Sequence, residues 1–144
     1  MLPDSHVAIA AFDCVLSDLV ALAKATGRME TIFNLTEPAI LSVTISFSGS
    51  GAIALMPLTP SIQVDFYAKS LHRRDELELG SVTLPTQAQQ LVYTPAIALP
   101  AGLAAAGAMA NQAYGISALV RVGATGFPAF VVGTIAGLML QTYE

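Results

Sequence analysis

Leu41, Val43, Ile45 and Phe47 alternate with Ser42, Thr44, Ser46 and Ser48. A strict period of two is the signature of an extended strand with one face in a core and the other in water. The same alternation returns at Ile62, Val64, Phe66 and Ala68 against Gln63, Asp65, Tyr67 and Lys69. Leu77-Glu78-Leu79 and Val82-Thr83-Leu84 alternate as well, but their phase slips at Gly80, as a β-bulge would cause. Residues 90–99 read as another strand, marked by Pro95 and Pro100 as an edge or bent element. Tyr114, Ile116, Ala118, Val120 and Val122 alternate in turn, and residues 130–143 form a last apolar run. A short run at 31–35 makes a first strand, ended by Glu37-Pro38. Residues 101–112, rich in Ala and Gly, read as a loop or a short helical excursion. The total is about seven strands separated by turn signals, the count of an antiparallel sandwich.

One stretch has a different period. Phe12, Val15, Leu16, Leu19, Val20 and Ala23 recur at helical spacing. Asp4 or Ser5 suits the start of a helix, and Gly27 suits a left-handed residue just past its end. Lys24 and Arg28 complement the C-terminal end of the helix dipole. The pattern predicts a helix over residues 4–27, or one beginning only at Asp13. The expected organisation is an N-terminal helical segment, 1–28, followed by a sandwich domain, 29–144.

Tyr114 heads the penultimate strand after a long Leu-Pro-Ala-Gly loop, two residues before the inward position Ile116. On these residues the segment 29–144 resembles an immunoglobulin-like or fibronectin-III-like β-sandwich, in which a corner tyrosine occupies that place. The paired cysteines and core tryptophan of antibody domains are absent, since the chain has one Cys and no Trp. The resemblance implies a fold and no particular activity.

Composition sharpens this picture. The 144 residues are 54% hydrophobic and 11% charged, where globular chains carry about 25% charged residues. No Asp, Glu, Lys or Arg lies between Leu79 and Val120, nor between Val122 and Tyr143. Bare strand edges recruit other chains unless blunted by charge, proline or bulges, so surfaces this neutral are expected to be covered by another copy, another protein or the N-terminal helix. Six Lys and Arg against ten Asp and Glu argue against nucleic-acid binding, which needs a basic face. A single cysteine, Cys14, precludes an intrachain disulfide and suits a reducing, cytoplasmic compartment. The N-terminus carries no basic region before an apolar run of the kind a secretory signal needs.

Candidate chemistry is sparse. His6, His72 and Cys14 show no metal-ligand spacing, and Cys14 reads as a small buried hydrophobe. His72 sits in the mixed-charge run His72-Arg73-Arg74-Asp75-Glu76, better read as a solvated turn than as a catalytic base or an anion site. Asp13 and Asp18 read as solvent-facing. Gly49-Ser50-Gly51 lacks the lysine, the spacing and an obvious following helix of a phosphate loop. Residues 122–140 carry no charge and include Gly133 and Gly137 at GxxxG spacing, yet the strongly apolar part, residues 130–140, is too short to span a membrane as a helix. The expectation is therefore a non-enzymatic structural or assembly module without cofactor or metal, working through protein–protein contacts as a homo-oligomer or within a larger assembly. The contacts expected are Val15, Leu19 and Leu22 on the helix and Val131 and Ile135 on the last strand. The alternative is a carrier of a small apolar ligand within or beside the sandwich.

Overall fold

The computed structural model describes residues 13–58, 60–73, 75–123 and 131–144. Among them are nine strands: β1 (Asp13–Ala23), β2 (Ile32–Asn34), β3 (Ala39–Ser48), β4 (Ser61–Ser70), β5 (Glu76–Pro85), β6 (Val92–Tyr93), β7 (Ala96–Leu99), β8 (Ala113–Gly123) and β9 (Val131–Tyr143). A short helix, α1 (Ser50–Leu55), follows β3, and 3-10 turns occupy Met56–Leu58 and Leu103–Ala106. The strands form two sheets. One runs β1-β3-β6, with β7 also paired to β3; the other runs β2-β9-β8-β4-β5.

The central alternation is β3, whose inward side chains Leu41, Val43, Ile45 and Phe47 are buried. They meet Ile62, Val64, Phe66 and Ala68 of β4 and Ile116, Ala118, Val120 and Val122 of β8 in one core. Burying a large aliphatic or aromatic side chain is worth roughly 1.5–3 kcal/mol, and this repeated gain fixes which face of each strand turns inward. Two sheets stacked through such a core make a β-sandwich. The pairing is antiparallel except that β2 lies parallel to the end of β9, Ile32 opposite Gln141 and Asn34 opposite Tyr143.

Three expectations are corrected. There is no helix over 13–27. Residues 13–23 are strand β1, antiparallel to β3, and residues 4–12 of the expected helix lie outside the described residues. The cause of the misreading is a register shift between Ser17 and Val20, where Asp18 takes φ 51°. Before it Cys14 and Leu16 pack against the core; after it Leu19, Ala21 and Ala23 are buried. Two period-two runs joined out of phase place apolar residues three and four apart, which mimics a helix. The expected division at 28/29 falls between β1 and β2, strands of different sheets. Gly27 does adopt the left-handed conformation, φ 68°, but in the turn after a strand, where its N–H donates to the Ala23 carbonyl at 2.7 Å.

Second, nine strands replace seven, because residues 13–23 add β1 and residues 90–99 split around Thr94-Pro95 into β6 and β7, both on one edge of β3. Third, a short helix begins within Gly49-Ser50-Gly51, with Gly49 at its N-cap. It is α1, six residues long, with the N–H groups of Ala52 and Ile53 donating to the Gly49 carbonyl. The slip at Gly80 is a bulge as expected: Phe66 pairs with Gly80 and Tyr67 with Glu78, leaving Leu79 extra.

Tyr114 is buried at the start of β8, and its hydroxyl accepts the Met109 N–H at 2.7 Å. Thr142 ties the same loop to β9: its hydroxyl donates to the Met109 carbonyl at 2.6 Å and its N–H to the Gln112 carbonyl at 2.9 Å. Buried Thr86 donates its hydroxyl to the Pro60 carbonyl at 2.7 Å. The buried polar side chains are thus satisfied, as burial without partners would cost about 1–3 kcal/mol each.

Candidate functional site

The two outer faces of the sandwich differ in chemistry. On the five-stranded sheet, β4, β5 and β8 turn Gln63, Asp65, Tyr67, Lys69, Glu76, Glu78 and Arg121 outward, and Arg121 pairs with Asp65 at 3.0 Å. On the four-stranded sheet the outward positions follow from the register. Val15, Ser46 and Val92 form one row across β1, β3 and β6; Val20, Ser42 and Ala96 form another; Leu22, Ile40 and Ala98 form a third. Ser17 and Thr44 lie between them. No ionisable side chain stands in these rows.

The third row is extended by Met29. The turn after β1 brings the chain back so that Met29 lies opposite Leu22 in an antiparallel bridge, with the Ala23 N–H donating to Arg28 and the Glu30 N–H to Ala21, both at 3.0 Å. Val15 is 55% exposed, Val92 52% and Met29 71%. The result is a surface of aliphatic and hydroxyl side chains, with the exposed Asp13, opposite Ser48 and in phase with Val15, at one end.

The residues expected to make contacts divide. Val15 and Leu22 lie on this face. Leu19 is buried after the β1 bulge, and Ile135 packs half-buried against the core. Val131 pairs with Val122 through the backbone, and its side chain lies outside the described residues. Val92 and Met29 were not singled out from sequence. The available signal was the alternation of β3 itself, because the neighbours of its hydroxyl face are the face's remaining members.

The last strand is also better guarded than its lack of charge implies. A register shift lies between Ile116 and Ala118, and Gly137, at φ 108°, sits in the extra stretch of β9. Gly133 lies beneath Leu16 of β1: a Cβ there would stand 3.2 Å from the Leu16 methyl. The two glycines of the GxxxG spacing thus serve a bulge and a close approach between sheets. No helix among the described residues is long and apolar enough to cross a membrane, which says nothing of a β-barrel.

Between β1 and β9 the sandwich opens into a groove of about 420 Å³ lined by Val20, Ala21, Met29, Glu30, Thr31, Ile32 and Leu138. Its wall is mainly apolar, and Ile32 is 59% exposed at its rim. A smaller hollow of about 180 Å³ lies at the Gly80 bulge between Asp65, Tyr67, Glu78 and Ser81.

Residues weighed for catalysis or metal binding do not converge. His72 lies exposed in the turn between β4 and β5. Asp13 and Asp18 are exposed on β1. His6 lies outside the described residues. Among the described residues no three His, Cys, Asp or Glu side chains group as metal ligands. Cys14 is half-buried against the core, and loss of solvent pushes its thiol pKa up, away from the reactive thiolate.

No family model matches the chain, and no curated protein does. Among solved structures, the chain is similar to the CARDB domain of a Pyrococcus furiosus protein crystallised with di-metal ions: 10% identity, 97% of this chain and 100% of that chain covered, TM-score 0.47. It is also similar to the sporulation control protein Spo0M of Bacillus subtilis, at 8% identity over 96% of this chain and 51% of that one, with a TM-score of 0.43. Likenesses at this level name no family for the chain and transfer no activity to it.

Proposed function

We propose that this protein is a non-enzymatic assembly module with an immunoglobulin-like strand arrangement, and that it self-associates through the outer face of its four-stranded sheet. The arrangement is supported by the order β1-β3-β6/β7 against β2-β9-β8-β4-β5, and by the Tyr114 hydroxyl bonded five residues back along the chain.

The observation that carries the function is the partition of charge between the two outer faces. A two-fold interface sets a patch against itself, so a charge near the two-fold axis meets its like. A neutral patch avoids that penalty and loses little hydration on burial. Val15 and Val92, on either side of Ser46, supply the apolar centre. A face three strand positions wide at about 4.8 Å spacing, with β1 and β3 running its length and the short β6 and β7 sharing one edge, gives an area of roughly 500 Å² before side-chain relief. Stable interfaces use about 800 Å² per partner, so the association expected is specific and reversible.

The test is a pair of variants compared by light scattering. Val15→Lys with Val92→Lys places two like charges in the face, and Thr83→Lys with Thr134→Lys places them on the opposite sheet. Dissociation by the first pair and not the second supports the reading. Equal effects, or none, would count against it.

A second reading, a carrier of a small apolar ligand, is favoured by the groove between β1 and β9, whose volume falls in the range of ligand pockets.

A further inference from the structure

We infer that the groove between β1 and β9 selects a cationic amphiphile: an apolar chain or ring bearing an amine or quaternary ammonium group. The inference rests on the ligand-carrier reading and adds to it the sign of the ligand's charge. The wall made by Val20, Ala21, Met29, Ile32 and Leu138 is apolar, and its one ionisable member is Glu30.

Glu30 is half-buried, and its carboxylate has no ion-pair or hydrogen-bond partner among the described residues. The Glu30 N–H donates to the Ala21 carbonyl at 3.0 Å, which holds its backbone at the groove that Glu30 lines. The nearby cations, Lys24 and Arg28, are exposed in the preceding turn and do not line the groove.

A lone carboxylate on an apolar wall discriminates by sign. A fatty acid would bring a second carboxylate to it, and like charges repel. An ammonium would instead supply the missing counter-charge while its carbons cover Met29 and Ile32. The net charge of −4 favours the same sign of ligand at longer range.

The experiment titrates the whole chain with three environment-sensitive dyes: neutral N-phenyl-1-naphthylamine, cationic dansylcadaverine and anionic anilinonaphthalene sulfonate. The chain has no Trp to interfere. The cationic dye should bind about fivefold more tightly than the neutral one, the size of a partly exposed ion pair, and the anionic dye most weakly. Glu30→Gln should erase that ranking. Ile32→Lys, at an exposed rim position, should weaken the cationic dye selectively, with circular dichroism confirming the fold of each variant. Saturable binding of the neutral dye with no preference for the cation would overturn the inference and leave the carrier reading standing. No saturable binding of any dye would overturn both. Dye displacement that grows with protein concentration would show a second copy in the groove and also overturn the inference.

Discussion

Asp18 and Tyr114 show how single residues set this fold. Asp18, at φ 51°, is the pivot that exchanges the faces of β1. Short polar side chains tolerate that conformation, whereas β-branched ones do not. Asp18→Val is therefore expected to cost about 1–2 kcal/mol, while Asp18→Gly should be neutral or stabilising; urea unfolding of the two variants measures the difference. Tyr114 holds the loop before β8 through one bond to the Met109 N–H. Tyr114→Phe leaves that donor unpaired and is expected to lower stability by about 1–2 kcal/mol, read from the same unfolding curves at unchanged slope. At Cys14 burial raises the thiol pKa above its ordinary 9.0. The folded chain then holds the proton more tightly than the unfolded one. Its contribution to stability is full below the ordinary value and is lost as pH rises through the raised one. Iodoacetamide should accordingly alkylate Cys14 more slowly in the folded chain than in urea at the same alkaline pH, and Cys14→Ser should remove part of the alkaline loss of stability.

At the scale of elements, legibility followed the regularity of the pattern. β3, β4 and β8 keep one phase throughout, and each was readable residue by residue. The Gly80 bulge was readable because glycine marks the slip. β1 was not, because its bulge falls at Asp18, a residue that reads equally well as a solvent-facing helical position. The parallel docking of β2 on β9 had no sequence signal: parallel partners are set by the path of the whole chain, and three residues carry too little pattern. The candidate face was half legible. Val15 and Leu22 belonged to a stripe assigned to a helix, and they reach the surface through the opposite phase of a strand. Leu19 belonged to the same stripe and is core, since the bulge turns it inward. Ile135 was singled out for its uncharged surroundings, yet β9 turns it toward Ala118 and the interior. Absence of charge marks burial within a molecule and burial between molecules alike, and only strand phase separates the two.

For the whole molecule, the low charge content has two destinations. Much of the uncharged sequence is ordinary core from both sheets. Part of the remainder lies on one outer face, where Val15, Val92 and Met29 stay open to solvent, and part on β9 and the loops, where Met139, Tyr143 and Met109 are exposed, while the Asp65–Arg121 pair and the carboxylates of β5 mark the other sheet. In the self-association we propose, the more polar sheet stays in water and the less charged one meets another copy. Because the contact buries mainly uncharged groups, its strength should vary little between low and moderate salt, unlike an interface held by ion pairs. The measurement that tests this most directly is the mass of the unmodified chain by light scattering as concentration rises. The account predicts a mass climbing from 14.9 kDa toward twice that value across the micromolar range. A constant 14.9 kDa up to the highest soluble concentration would contradict it.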